Sequence, residues 1–265
     1  MPQGILRKMS VENNRPVDYY LNFDGETVHL NEFLGSNLTI EHTGEKYCVK
    51  CGAKSKKLYG EGFCYKCFIS APEADVCIIH PEKCQAHLGI SRDMEWSRQN
   101  CLTEHYVYLA VTDHLKVGVT RKAHIPSRWI DQGALKAVKF AKTPYRQLAG
   151  LIEVDLKNYF SDKTNWRKML LTLSPPDIDL TEEKRKAASY LQPEYRQYLD
   201  TDNTVYSFEY PLVTRLPDKI TSVNLDKTPV LTGKLIGIKG QYLIFEGGHV
   251  INIRKFSGYF VKIRT

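Results

Sequence analysis

Over the first 45 residues, apolar and polar positions alternate in short runs. The runs VDYYLNF, ETVHL and NLTIEH follow the two-residue period of β-strands. They are separated by Asp24-Gly25 and Gly35-Ser36, residue pairs that are typical of turns. We therefore expect a small β unit in residues 1–45.

The middle of the chain predicts two strands followed by two helices. Residues 106–111 (YVYLAV) and 115–120 (LKVGVT) have the composition of strands around a short turn. Pro126 opens a short helix that Gly133 ends. A longer helix is expected to begin at Thr143-Pro144 and to end near Asp162, because the apolar residues between them recur at helical spacing.

Towards the C-terminus the pattern returns to strands. Thr181 begins one more helix, which Pro193 interrupts. From Val205 onward several β-type runs follow, with Gly247-Gly248 as a hairpin turn. The chain is therefore expected to be an α+β protein with four segments: 1–45 as an N-terminal β unit, 46–105 as a metal-binding segment, 106–200 as the α/β core, and 201–265 as a C-terminal β module.

The composition indicates the cellular compartment in which the protein is expected. The chain has 265 residues and contains no run of about eighteen apolar residues, and its first residues lack the apolar stretch of a signal peptide. Its seven cysteines all lie between Cys48 and Cys101, which favours metal ligation over a disulfide framework. We expect a cytoplasmic protein that does not enter a membrane.

Two CxxC pairs predict a zinc site in the cysteine-rich segment. Each pair can place two thiolates on one side of a tetrahedral ion, and the loop between the pairs brings the two sides together. The predicted ligands of this closed structural site are Cys48, Cys51, Cys64 and Cys67.

A second zinc site is expected further along the same segment. The candidates are three cysteines and several histidines, which can be combined in more than one way. The preferred set is Cys77, Cys84, Cys101 and His105. His87 is a substitute ligand, because it follows Cys84 at the short spacing of zinc-ligand pairs.

Positive charge concentrates in the middle of the chain. Residues 106–168 contain twelve Lys or Arg against five Asp or Glu, so this stretch holds an excess equal to the whole formal net charge of +7. Cations mixed with aromatic rings are typical of nucleic-acid grooves, although charged runs are also common on ordinary solvated surfaces. The candidate contacts to DNA or RNA are Arg121, Lys122, Trp129, Lys136, Lys139 and Arg146.

The two predicted strands carry Tyr106-Val107-Tyr108 and Lys116-Val117-Gly118, and Arg128 and Glu153 follow them. These motifs resemble the GIY and YIG motifs of the GIY-YIG nuclease superfamily, with Tyr106 and Lys116 as departures from them. Arg128 and Glu153 stand where the superfamily has its arginine and glutamate. The resemblance implies a small antiparallel sheet with helices, preceded here by a zinc-ribbon-like segment and flanked by the two β modules.

The same resemblance implies a catalytic scheme. Tyr108 would orient or deprotonate a water, Arg128 would stabilise the transition state, and Glu153 would hold Mg²⁺ or Mn²⁺. Tyr106 or Lys116 could assist from neighbouring strand positions. Taken singly, each of these residues is as easily explained by packing or by solvation.

A second resemblance covers most of the chain. An uncharacterised bacterial family joins a cysteine-rich segment to the blocks KVGVTR, PSRWIDQGA and DKTNWRKML, which stand here at 116–121, 126–134 and 162–170. The sequence favours a zinc-containing nucleic-acid-binding protein, because the core departs from the GIY-YIG motifs at Tyr106 and Lys116. The first alternative is a metal-dependent GIY-YIG-type endonuclease, and the second is a zinc-stapled scaffold that binds protein. The sequence leaves the oligomeric state open.

Overall fold

The computed structural model describes residues 2–265 and confirms a mixed α+β protein. Its described residues pack into two compact units. One combines the described part of Met1–Ile69 with Glu209–Thr265, and the other is Ser70–Phe208. The division into four segments stays a prediction, because compact packing does not show which segments fold alone.

The first unit is largely β-structure. Its strands are β1 (Gln3–Ile5), β2 (Ser10–Glu12), β3 (Asp18–Asn22), β4 (Thr27–His29), β5 (Asn37–Lys46), β10 (Thr221–Ser222), β11 (Val230–Lys239), β12 (Tyr242–Phe245), β13 (His249–Asn252) and β14 (Tyr259–Arg264). A seven-stranded sheet has the order β1-β14-β5-β11-β12-β13-β10, and β2-β3-β4 form a separate sheet. Strands from both ends of the chain therefore share one sheet.

A turn of this unit was predicted from the sequence, whereas its helix was not. The Gly247-Gly248 turn lies between β12 and β13, which pair antiparallel. Gly247 has a φ of 83°, a backbone conformation that glycine adopts without steric cost. A short helix, α1 (Tyr65–Ser70), follows Cys64 and includes Cys67.

The second unit is built on a four-stranded antiparallel sheet. Its strands are β6 (His105–Val111), β7 (Leu115–Arg121), β8 (Lys136–Thr143) and β9 (Val205–Ser207), in the order β7-β6-β8-β9. Its helices are α2 (Met94–Asn100), α3 (Ser127–Asp131), α4 (Arg146–Leu156), α5 (Trp166–Leu171) and α6 (Leu180–Tyr190). All seven residues of β6 are buried, as expected for a central strand covered on both faces.

Helix α4 packs on this sheet through its apolar face. Ala149, Ile152 and Leu156 are fully buried in a core that also contains Val107 and Leu109 of β6. Helix α6 covers the same core with Leu180 and Ala187, among others. The predicted strand, strand and short-helix order of residues 106–133 is confirmed by β6, β7 and α3.

The predicted bounds of the longer helix are wrong. Thr143 belongs to β8, and α4 begins at Arg146 and ends at Leu156. The Thr143 hydroxyl donates to the carbonyl oxygens of His105 and Tyr145, at 3.3 and 3.2 Å, and so does not cap the helix. Pairing of β8 along the whole of β6 holds Thr143 in extended structure.

The helices of this protein are short. Among the residues that the structure describes, no helix combines the length and the apolar character needed to cross a bilayer.

Candidate functional site

The first four cysteines meet at one point of the first unit. The sulfur atoms of Cys48, Cys51, Cys64 and Cys67 all lie within 4.8 Å of one another, and those of Cys51 and Cys64 are 3.9 Å apart. A tetrahedron of thiolates at Zn–S distances of about 2.3 Å has edges of about 3.8 Å. These residues could therefore hold a metal ion in a closed four-thiolate site.

The backbone shapes each half of this centre. The amide of Gly52 donates to the carbonyl oxygen of Cys48, and Gly52 has a φ of 72°. The amide of Phe68 donates in the same way to the carbonyl oxygen of Cys64 at the start of α1. Each CxxC pair is thus folded back on itself, with two sulfurs directed to the same side.

The remaining three cysteines form a second centre in the other unit. The sulfurs of Cys77, Cys84 and Cys101 lie within 4.8 Å of one another, and all three residues are buried. Hydrophobic contacts among them extend to Ala86, Trp96 and Leu102. Three of the four preferred ligands are therefore together, and these thiols could hold a metal ion.

The predicted histidine ligands lie outside this three-sulfur group. His105 begins β6, with Nδ1 2.7 Å from the carbonyl oxygen of Thr103 and with a buried Nε2 that has no hydrogen-bond partner. Burial lowers the pKa of His105 to about 4. The His87 ring stacks on Tyr145 with centroids 5.0 Å apart. His105 as the fourth ligand, with His87 as its substitute, therefore stays a prediction.

A polar cavity of about 170 Å³ lies beside the sheet of the second unit. It brings together four of the five predicted catalytic residues, Tyr108, Lys116, Arg128 and Glu153. The fifth, Tyr106, is buried elsewhere on β6, where the Lys139 ammonium lies 5.5 Å from its ring centroid. Two strands and two helices thus contribute side chains to one small space.

Tyr108 and Gly118 are cross-strand partners in this cavity. The Tyr108 side chain is fully buried, and its hydroxyl donates to Oε1 of Gln132 over 2.6 Å. A Cβ atom added at Gly118 would lie only 2.5 Å from the Tyr108 hydroxyl oxygen. The glycine of the KVG motif is therefore required for the tyrosine to lie across β7.

Burial and mutual electrostatic interaction shift the pKa values of the ionisable groups around Tyr108. Burial raises the pKa of Tyr108, and the positive charge of Arg128 opposes this effect. Burial, together with repulsion from Arg128, lowers the pKa of Lys116 to about 8. Burial also raises the pKa of Glu153, against the effect of the Lys157 ammonium. Perturbed groups that share a cavity are a recognised feature of functional sites.

Sequence reasoning missed four polar groups of this site. Nζ of Lys157 lies 3.4 Å from Oε2 of Glu153 and 3.2 Å from Oδ2 of Asp162, so one ammonium group bridges two carboxylates. Asp162 and Gln132 also line the cavity, and Thr164 accepts a 3.3 Å hydrogen bond from Lys116. Asp162 and Thr164 belong to the DKTNWRKML block, which was the available signal for them.

The other wall of the cavity comes from the cysteine-rich segment. Ile78, Ile79 and Pro81, which stand between Cys77 and Cys84, line it. This segment approaches α4 at Gly150, where an added Cβ would lie 2.1 Å from the backbone nitrogen of Glu82. The loop between Cys77 and Cys84 is therefore part of the wall of this cavity as well as part of the second cysteine centre.

The residues predicted to bind nucleic acid are mostly engaged within the protein. Trp129 is fully buried beneath Tyr108 and Tyr206, so neither face of its ring is open to a base. Arg146 is buried and donates to the carbonyl oxygens of Cys77 and Asn100, at 3.1 and 3.0 Å. It joins the cysteine-rich segment to α4.

The remaining four cations of that set occupy more accessible places. Arg121 donates to the side chain of Asn100, and Lys136 is half-buried on β8. The ion pairs of the other two are Lys122 with Glu104 at 2.6 Å and Lys139 with Asp202 at 2.5 Å. Their contact with nucleic acid stays a prediction.

Comparison with known proteins shows to which family the chain belongs. No curated protein and no solved structure matches the chain. The model of the family described as "Protein of unknown function (DUF2797)" matches residues 35–261, which include both cysteine centres and the polar cavity. The predicted membership of an uncharacterised family is confirmed, and the chain belongs to the DUF2797 family of proteins of unknown function.

Proposed function

We propose that this protein is a metal-dependent enzyme that hydrolyses phosphodiester bonds in nucleic acid, with its active site in the Tyr108 cavity. The single observation that supports this most is the convergence of Tyr108, Lys116, Arg128 and Glu153 on one space of about 170 Å³. These residues come from β6, β7, α3 and α4, so no local sequence feature forces them together. The convergence of these four side chains on one small space favours catalysis over binding of nucleic acid along an extended groove.

The side chains suit attack on a phosphate. Arg128 and Lys116 place positive charge where negative charge develops on the phosphoryl oxygens. The hydrogen bond to Gln132 fixes the direction of the Tyr108 hydroxyl, which orients the attacking water. Because burial keeps Tyr108 protonated, its first role is orientation and not proton removal.

The cavity also suits a divalent cation. Glu153 and Asp162 both line it, and Mg²⁺ is typically held by one or two carboxylates, with water and substrate phosphate oxygens completing the shell. When bound, the ion would supply additional positive charge at the phosphoryl group. Lys157 would then give up its bridging contacts with the two carboxylates.

Zinc has a structural role in this proposal. The four-thiolate centre leaves no open coordination position, which is the pattern of structural zinc. The three-thiolate centre supports the cavity wall formed by Ile78, Ile79 and Pro81. Zinc at both centres can be checked by elemental analysis, with an expected value of about two equivalents per chain.

The proposal is tested by incubating the protein with single- and double-stranded DNA and RNA in the presence of Mg²⁺ or Mn²⁺. Glu153→Gln and Arg128→Gln should each reduce cleavage by on the order of a hundredfold or more, because each removes charge that acts on the transition state. Two exposed residues of the same unit provide matched controls, Glu194→Gln and Arg98→Gln. Cleavage that both cavity variants retain would refute the assigned site.

A second candidate function is nucleic-acid binding without cleavage. It is favoured by the Lys157 bridge, because an ammonium already neutralises the carboxylates that would hold the divalent ion. This candidate predicts binding that does not depend on Mg²⁺ and that weakens steeply with salt. Wild-type cleavage would exclude it, whereas binding without cleavage of any substrate would favour it.

A further inference from the structure

The second cysteine centre borders a cavity of its own, separate from the Tyr108 site. This cavity has a volume of about 340 Å³ and is lined by all three thiols, Cys77, Cys84 and Cys101. Its wall also includes Ser91, which is exposed. A small molecule in this space would therefore meet the sulfur cluster directly.

Among the described residues, the cluster brings together three ligand atoms. In residues 2–265, no further histidine, cysteine or acidic ligand atom joins the three sulfurs within 4.8 Å. Nδ1 of His105 lies 2.7 Å from the carbonyl oxygen of Thr103, which leaves the buried Nε2 as its possible ligand atom, but Nε2 is outside the sulfur group and His105 does not line the cavity. Three ligands around a tetrahedral ion leave one position for a molecule that is not part of the chain.

We propose that Cys77, Cys84 and Cys101 hold a zinc ion whose fourth coordination position opens into this cavity and takes an exchangeable small donor. Water would occupy the position at rest, and a neutral or anionic donor would replace it. The inference does not depend on phosphodiester hydrolysis, and it distinguishes this centre from the closed four-thiolate site.

Charge and size define the ligand class. Three thiolates and one Zn²⁺ leave a formal charge of −1 at the centre. Lys83 and Arg92 line the cavity with positive charge, and Arg92 is paired with Asp75 at 3.1 Å. Because Asp75 also lines the cavity and neutralises Arg92, Lys83 is the cation that offsets the negative centre, so an anionic donor meets no net negative charge. Since a water takes up about 30 Å³ in the liquid, the cavity has room for a ligand of several heavy atoms.

Cobalt provides a direct probe of the open position. The full chain loaded with Co²⁺ in place of zinc is titrated with imidazole as a neutral donor and with azide as an anionic donor. The visible d–d bands of an open three-thiolate centre should shift with saturation as the added donor replaces water. A closed four-thiolate centre should contribute bands that do not change, so Cys51→Ser together with Cys64→Ser, which leaves only two thiolates at that centre, should leave the shift in place.

Ser91→Cys tests the position of the opening. Because Ser91 is exposed, this substitution should leave the fold intact. A fourth thiolate from the cavity side should remove the response to imidazole and azide and give bands typical of four-thiolate cobalt. A response that survives unchanged in this variant would overturn the placement of the open position in the cavity.

His105→Gln tests the competing ligand. With an open position, the wild-type protein already responds to imidazole, and this variant responds to the same extent. A wild-type centre that ignores both donors, together with a variant that responds, would overturn the proposal and assign His105 as the fourth ligand. Because nucleic acid takes no part in the measurement, its result is independent of the cleavage assay.

Discussion

At the scale of single residues, Gly118 sets the position of the Tyr108 hydroxyl. Since the two residues face each other across β6 and β7, a methyl group at position 118 would occupy the place of the hydroxyl. The pairing of Tyr108 with Gly118 could be predicted from the sequence, because the resemblance placed both residues on adjacent strands. The contacts of Lys157 with Glu153 and Asp162 could not be predicted, because they depend on how α4 ends and where Asp162 lies.

The first prediction is that Gly118→Ala displaces Tyr108 and destabilises the protein. Overpacking of a buried site costs on the order of 1–3 kcal/mol of unfolding free energy. Cleavage or nucleic-acid affinity should fall with it, since the tyrosine lines the cavity. Gly233→Ala is the control, because an added Cβ there meets nothing closer than 3.3 Å. Denaturant unfolding that shows equal stability for both variants would contradict this account of Gly118.

The second prediction concerns Lys116 and pH. Its pKa is about 8 in the folded protein against an ordinary value of 10.5. The unfolded state therefore binds more protons between pH 8 and 10.5, and stability from this group rises with pH across that window. The gain is at most about 3 kcal/mol, because each unit of pKa difference corresponds to about 1.4 kcal/mol.

The measurement is the unfolding free energy from pH 7 to 10.5 for wild type, Lys116→Met and Lys163→Met. Other groups titrate in the same range, so the informative quantity is the difference between the curves. Lys116→Met should lack the rise, whereas Lys163→Met, which changes an exposed lysine, should keep it. Parallel curves for wild type and Lys116→Met would show that this ammonium is not destabilised by burial.

At the scale of elements, β8 shows why sequence reasoning placed α4 incorrectly. The Thr143-Pro144 pair has the composition of a helix start, but β8 pairs with β6 up to Thr143. The backbone amide of Arg146 then donates to the carbonyl oxygen of Cys101, 45 positions earlier in the sequence. Such partners are remote in sequence, so local periodicity cannot indicate them. Strands β6 and β7 were predictable because their pairing is local.

The third prediction is that Gly150→Ala separates the cysteine-rich segment from α4. Alanine favours a helix over glycine by about 1 kcal/mol. Here its Cβ would lie 2.1 Å from the Glu82 backbone, which cannot move as a flexible side chain does. The clash should dominate, with a net loss of on the order of 1–3 kcal/mol and faster release of metal from the three-thiolate centre.

Chelator-induced metal release, followed by a colorimetric indicator, measures this effect. Val154→Ala is the control on the same helix, because Val154 is 42% exposed. Release from the four-thiolate centre should be unchanged in both variants. If Gly150→Ala is as stable as wild type and releases metal at the same rate, the close approach of Glu82 to α4 is wrong.

At the scale of the whole molecule, the seven cysteines divide between the two compact units. The four-thiolate centre belongs to the unit that contains residues 209–265, and the three-thiolate centre to the unit of residues 70–208. The sequence predicted both cysteine groups, because metal-ligand spacing is local. It did not predict that β5 pairs with β11 and β14, since that sheet joins opposite ends of the chain.

The fourth prediction separates the two centres by their effect on the Tyr108 cavity. Structural zinc in small peptides contributes about 10–16 kcal/mol of apparent binding free energy, against a net stability of about 5–15 kcal/mol for a domain. Loss of either ion should therefore loosen the segment that it holds. Only the three-thiolate centre holds residues that line the cavity, namely Ile78, Ile79 and Pro81.

Cys84→Ser should lower the zinc content by one equivalent, and it should weaken cleavage or nucleic-acid binding by at least tenfold as the cavity wall becomes disordered. Cys51→Ser together with Cys64→Ser should lower the zinc content equally, because only two thiolates remain at the four-thiolate centre. It should leave the Tyr108 site competent, because that centre lies in the other unit. Hydrogen exchange would place the loss of protection at residues 70–105 in the first variant and near residues 46–69 in the second. If both variants lost function and protection everywhere, the metal centres would have to support one cooperative structure and not two units.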